Sequence, residues 1–468
     1  MFIVAQWRAY RGFFSQLVQL ALPVAIQTML VSLLGMIDIF MVGTIGNEAV
    51  AAVGLGGKIH FVTVVIMASM ATGSSVLIAQ YWGTKNVQRA KSVVALALMT
   101  GIVMLTVLTA LLLIFANDIF RFSNDDPVVA QLGVDYILWS APLLLLTHAI
   151  IIYEGALRSL NQTVLPLIMA AIAIGLNVLL NYALIDGHFG LPAMGVSGAA
   201  LATDIARTIQ VILIFGYLKF SKHPLHLHLA DYIKSFDPLL IRKYWRLTWP
   251  LIVNFSLWAI GSFGYHWIAG RMGTTPLAVI SLISPIEGLY HSVFMGMSAA
   301  CSIMIGQSLG RSDFDTATKL AKFFVVVNPT LSFMLGGILI LARGGIFAGF
   351  DHLDEATLAL ADHVFIIMGL LFWVKVMNMT LINGILRAGG DNRFCLFNDM
   401  LSMWVLGLPI TATAALIFGA RYEIVYALIM VEEVNKAIFS FWRYRKGHWK
   451  RNLTLENEDS SVEVPAIA

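Results

Sequence analysis

Charge is scarce in this chain. Of its 468 residues, only 12% are Asp, Glu, Lys or Arg, while 59% are hydrophobic. A soluble domain carries roughly 25% charged residues, so a water-facing globule is excluded and a bilayer protein is implied. Cysteine is nearly absent, with two in total. Cys301 and Cys395 each lie in or beside an apolar run, which leaves no disulfide framework and no metal site; both are expected to pack. Enzyme signatures are missing too. No His-Glu-x-x-His, Gly-x-Ser-x-Gly or Gly-Lys-Ser/Thr loop occurs, so the chain is not expected to be an enzyme. The net charge of +3 follows from basic loops and gives no reason to expect nucleic acid. A cleavable leader is not expected, because the polar start with Arg8 and Arg11 runs into a full-length apolar run.

What is present is apolar sequence in long runs. A spanning helix needs about 20 apolar residues. Runs of that kind centre on Ser32, Thr63, Met104, Leu143, Ala173 and Arg207, then on Ser256, Phe294, Phe333, Met368, Gly407 and Val434. These predict an all-α integral membrane protein of twelve spans. Lys and Arg bias loops to the cytoplasm. Arg8 and Arg11, then Lys85, Arg89 and Lys91, then six bases between Lys219 and Arg246, then Arg443 to Arg451 mark one side. Asp118, Asp125 and Asp126, and Asp351, Asp354 and Glu355, mark the other. Both termini are therefore expected in the cytoplasm, and the C-terminal bases are expected to anchor at the lipid surface. The acidic tail with Glu456, Glu458, Asp459 and Glu463 is expected to be disordered.

The chain also repeats itself. Residues 23 to 83 match residues 250 to 310 at an offset of 227, pairing Pro23 with Pro250, Gly43 with Gly270, Gly46 with Gly273, Gln80 with Gln307 and Gly83 with Gly310. Glu154-Gly-Ala-Leu-Arg158 similarly resembles Asn383-Gly-Ile-Leu-Arg387. Six crossings return the chain to its starting side, so two six-helix lobes related by a pseudo-two-fold axis along the membrane normal are expected. The expected division is 1–218 and 244–442, with a polar linker at 219–243 and a cytoplasmic tail at 443–468. Pro23, Pro142, Pro166, Pro250, Pro285 and Pro409 fall in or near spans; for Pro23, a bend and a helix-start role are both open.

One position breaks the repeat with consequence. Asp38 lies inside the first span, where its counterpart is Tyr265. A carboxylate at membrane depth costs at least roughly 2.5 kcal/mol, so it usually has a job. It could take and release a proton or supply an anionic oxygen to sodium. Lys58, at similar depth on the second span, either pairs with Asp38 or snorkels outward. Glu287 takes the repeat position of His60, which makes it a candidate contact for a cationic substrate or a second proton site. Its bland alternative is a hydrogen bond to Tyr265, Tyr290 or His291. For Asp204 and Arg207, three apart on one span, a helix-internal ion pair is favoured. Glu432, Glu433 and Lys436 are expected to snorkel, Asp399 to be wet, and His223, His226 and His228 to lie in a solvated loop rather than a metal site.

Leu-Ala-Leu-Pro at 20–23, Asp38 to Gly46, Ala51 to Gly54 and Gln80 to Gly83, with their repeats, carry a resemblance over essentially all twelve spans. The chain resembles the multidrug and toxic compound extrusion (MATE) family of antiporters, nearer to its DNA-damage-inducible branch. The resemblance implies proton- or sodium-driven export of diverse, often cationic and aromatic drugs by alternating access. It implies no cofactor beyond the coupling ion, and residence as a monomer in a bacterial inner membrane. It also implies a first-lobe cation site. Asp38, Asn177, Asn181, Ala199 and Thr203 fill its places, with Asn181 standing where some members have a second Asp. The second lobe lacks the acids that other members carry on spans seven and ten. A flippase for a lipid-linked precursor is the second reading, weakened by the lack of clustered arginines.

Overall fold

The computed structural model describes residues 2–43, 45–123, 127–141, 143–347 and 354–455. Asp125, Asp126, Asp351, Pro142 and the acids of the tail lie outside the described residues, as do the side chains of Arg8 and Arg11. Among the described residues the secondary structure is helical throughout. Hydrocarbon offers no partner to backbone N–H and C=O groups, so long apolar runs satisfy them internally.

The helices of the first half are α1 (Phe2–Val42), α2 (Asn47–Gly83), α3 (Val87–Ser123), α4 (Pro127–Ser140), α5 (Leu143–Ser159), α6 (Val164–Ile185) and α7 (Gly195–Phe220). A short α8 (Leu229–Lys234) lies in the connection. The second half holds α9 (Pro238–Met272), α10 (Thr274–Gly310), α11 (Phe314–Phe347) and α12 (Glu355–Asn378), which continues as a π-helix to Leu386. It closes with α13 (Asn392–Met400), α14 (Leu408–Ala412) and α15 (Tyr422–Arg445).

Among the described residues ten helices are long and apolar enough to cross a bilayer, eleven if α4 and α5 form one span bent by 52°. The bend lies between the end of α4 at Ser140 and the start of α5 at Leu143. The twelfth expected run is α15. Its 24 residues suffice in length, but Glu423, Glu432, Glu433 and Lys436 dilute its hydropathy. Pro23, Pro250 and Pro285 sit inside their helices, so Pro23 is not a helix-start residue.

The repeat is built into the backbone. Gly46 and Gly273 precede α2 and α10 with φ of 142° and 130°, a region closed to residues with a Cβ. At the other ends, Lys85 and Ser312 adopt φ of 60° and 59°. Asn86 then caps the Arg89 amide and Asp313 the Thr316 amide, each at 3.0 Å. Every one of these pairs keeps the offset of 227.

Two compact units emerge. One comprises Ile26–Thr248; the other joins Met1–Ala25 to Trp249–Ala468. Each division falls within two residues of Pro23 or Pro250. In the first unit α2 packs against α3, α4 and α5, and α6 against α7. In the second α10, α11, α12 and α15 surround buried Phe324, Phe365 and Phe372. Cys301 and Cys395 are free and buried, as expected of packing residues. Helices approach closely at Gly296, where a Cβ would overlap the Ala21 carbonyl oxygen and lie 2.9 Å from the Ala25 Cβ. Because backbone cannot swing aside, Gly296→Val is expected to cost about 3 kcal/mol, read as a lowered unfolding temperature of the purified protein.

The connection after α7 is more ordered than a solvated loop. Asp231 accepts from the Gln88 amide and the His228 N–H, both at 2.8 Å, and pairs with Lys91 at 3.4 Å. His223 is buried, bonded to Gln162 at 2.9 Å and to the Leu225 amide at 3.1 Å, which corrects its assignment to solvent. Among the described residues, no group of His, Cys, Asp and Glu could hold a metal ion. Burial alone would raise the Asp231 carboxyl, but the His228 amide, Gln88 and Lys91 together hold it below its ordinary value. A depressed carboxylate stabilises above its unfolded value and loses that contribution as pH falls through the folded one. Asp231→Asn is thus expected to cost about 2 kcal/mol at pH 7. In thermal unfolding the difference should fade only below about pH 4.

Candidate cation-coupling site

The five residues expected to form a cation site meet in one hydrogen-bond chain within the first unit. Asn181 of α6 donates to the Asp38 carboxylate at 2.7 Å and to Asn177 Oδ1 at 3.1 Å. Asn177 donates to Thr203 Oγ1 of α7 at 3.0 Å, and Thr203 donates to the Ala199 carbonyl at 3.0 Å. The four-residue spacings cause this. Asn177 and Asn181 share one face of α6, and Ala199 and Thr203 one face of α7, so two packed helices present a ladder of polar groups. Asn177, Asn181 and Ala199 are buried. The Asn181 carbonyl oxygen is also buried and has no hydrogen-bond partner. An orphaned buried acceptor beside a carboxylate is the geometry a cation or a proton-bearing group would complete.

Lys58 is exposed, and the Asp38 carboxylate accepts from Asn181. His60 contacts Ser140 at 3.1 Å and stacks obliquely near Tyr136, 5.6 Å between centroids. Tyr136 lies within electrostatic reach of both Asp38 and Asp204.

The expected Asp204–Arg207 pair is not formed. Arg207 instead reaches along α7 to Gln210 at 2.9 Å, and Gln210 donates to Glu154 at 3.1 Å. Glu154 also takes Arg158 at 2.9 Å. Glu154 thus anchors a relay that draws Arg207 away and leaves Asp204 Oδ1 buried without a partner. Asp204 is therefore a second carboxylate near the site. Its position next to Thr203 was the signal in the sequence.

The chain matches the sequence profile described as MatE over residues 23–183 and 250–413. It belongs to the MatE family. Among curated relatives, the probable multidrug resistance protein YoeA of Bacillus subtilis is 25% identical over 83% of this chain and 84% of its own. The probable multidrug resistance protein NorM of Shewanella oneidensis is 26% identical over 86% of each. A mutant of the Vibrio cholerae MATE transporter VcmN shares the fold, with a TM-score of 0.85 at 16% identity over 94% of this chain and 98% of that one. The first MatE segment covers Asp38, Asn177 and Asn181, and the second covers Glu287 and Tyr265.

The second unit holds a set of charges that extends past the MatE match. Glu287 pairs with Lys375 at 2.5 Å, not with Tyr265, Tyr290 or His291. Tyr290 bonds to Ser332 instead, and Tyr265 donates to Glu432. Lys436 pairs with Glu432 and lies 3.8 Å from Glu433 and 3.9 Å from Asp399. Glu433 accepts from Asn378 at 2.8 Å, and Asp399 from Asn254 at 2.7 Å. Arg387 bonds to Asn254 at 2.7 Å and to Asn383 at 2.5 Å. That last bond repeats the Arg158–Glu154 link of the first unit. Glu432 and Lys436 are buried, at 2% and 6% exposure, which corrects the expectation that they snorkel. The Asp399 side chain is 20% exposed. The i,i+3 and i,i+4 spacing from Glu432 and Glu433 to Lys436 was the available signal, since pairing on one helix face lets charges stay inside.

Proposed function

We propose that the chain is a cation-coupled antiporter that exports diverse, often cationic and aromatic drugs, with Asp38 as the coupling carboxylate. The observation that carries this reading is the buried chain from Asp38 to Ala199 with its orphaned Asn181 oxygen. The names of the curated relatives support drug export. An ion entering from outside binds Asp38, with Asn181, Asn177, Thr203 and the Ala199 carbonyl as neutral oxygens around it. Asp38 is carried by α1, whose interior Pro23 lacks a hydrogen bond and is the natural place for that helix to bend. Bending lowers the affinity for bound drug, and ion release to the cytoplasm resets the cycle. Such coupling requires ion and drug to prefer different states.

The second unit suits the drug's charge. Glu287, Asp399, Glu432 and Glu433 face Lys375, Arg387 and Lys436, so one negative charge is left over in this network. A monovalent organic cation or a proton would balance it. Glu287, shared with a single lysine, is the group from which Lys375 could be displaced.

The test is efflux of a fluorescent cation from reconstituted vesicles under a pH gradient alone or a sodium gradient alone. Efflux under the pH gradient is the expected result. Drive by sodium only would transfer the role of Asp38 from proton carrier to sodium ligand. Failure under both gradients, with translocation of a labelled polyprenyl lipid, would replace the antiporter by a flippase.

A further inference from the structure

A cavity of about 660 Å³ lies where α3 begins and α7 ends, lined by Gln88, Lys91, Lys219, Lys222, His226 and His228 among others. Three ammonium groups converge on it. Lys91 is tethered to Asp231 at 3.4 Å. Among the described residues no acid forms an ion pair with Lys219 or Lys222, so the cavity keeps a net positive charge. His223, fixed by Gln162 and the Leu225 amide, forms a wall, while the His226 and His228 rings stand perpendicular at 4.7 Å. Beside this charged floor, Phe220, Leu229 and Ile233 are 86%, 79% and 69% exposed. Large apolar side chains exposed at the end of α7 and on the short α8 sit naturally among acyl chains, with the charged groups at headgroup level.

We propose that this cavity binds a phosphate group, supplied by the headgroup of an anionic lipid. Ammonium groups without acidic partners, imidazoles and an amide donor match phosphate oxygens, and the apolar rim matches the lipid that carries them. Asp231 does not oppose this, because its oxygens are already taken by Gln88, His228 and Lys91. The site is separate from the coupling residues and does not depend on the antiport reading.

The test uses the purified full chain. Native mass spectrometry would count phosphatidylglycerol and phosphatidylcholine retained by the wild type, by Lys219→Gln/Lys222→Gln and by a control, Lys234→Gln. Thermal unfolding with inorganic phosphate forms a parallel arm. Phosphatidylglycerol should be preferred by the wild type and the control. In the double variant it should bind about 25-fold more weakly, each lysine being worth about fivefold. Protection by inorganic phosphate that the double variant loses, without lipid preference, would name the free anion as ligand. Equal retention of both lipids by all three proteins, with no phosphate protection, would overturn the proposal.

Discussion

Asp38→Asn is expected to reduce gradient-driven efflux to the level of empty vesicles while the purified protein unfolds at nearly the wild-type temperature. The two halves of that result have separate causes. Asn keeps an oxygen in the place where the Asn181 amide now donates at 2.7 Å, so the buried chain keeps its hydrogen bonds. Exchanging a charge-assisted bond for a neutral one changes stability by only about 1 kcal/mol. The amide can neither hold a proton nor offer a full negative charge to sodium, and an ion without differential affinity for the two states shifts neither. Thr203→Val provides a graded companion. It removes one neutral oxygen and the donor to Ala199, and leaves the carboxylate in place. Weakened efflux, recovered at a steeper gradient, is the expected outcome, as against complete loss for Asp38→Asn. Wild-type efflux by Asp38→Asn would exclude the carboxylate from coupling.

The first unit was more legible in the sequence than the second, and the reason is the range over which the interactions act. Asn177 with Asn181, and Ala199 with Thr203, declare a shared helix face by their spacing alone. The repeat fixed α2 and α10 because the glycine turn before each and the cap after each are local features. What escaped was partner choice among long side chains. Arg207 could reach Asp204 or Gln210 from the same backbone. Only the position of Glu154 on α5, which holds Gln210, decides between them. Likewise Tyr265 and Glu287 share a unit, yet Tyr265 turns to α15 and Glu287 to α12. The charges of α15 suggested a wet helix end because hydropathy counts them singly. Packed as pairs, they lie inside the protein.

Lys436→Met is expected to destabilise the protein by about 3–5 kcal/mol, the largest stability effect of any single change considered. The methionine would fill the space, so the loss is electrostatic. Lys436 pairs with Glu432 and lies within 4 Å of Glu433 and Asp399, and among the described residues no other cation forms an ion pair with Glu432. Without the ammonium, the buried Glu432 and the partly buried Glu433 next to it on α15 repel each other, with Asp399 close by. Adding Glu432→Gln should recover a large part of the loss, since the amide oxygen still accepts from Tyr265 and one of the opposed charges is gone. The Lys436→Met, Glu432→Gln and double variants form a cycle, whose coupling energy should exceed the roughly 0.5 kcal/mol scatter of independent sites. Unfolding of purified protein in detergent gives all four stabilities. Additive losses would mean that Lys436 does not neutralise Glu432, and the leftover negative charge assigned to this network would then have to be counted afresh.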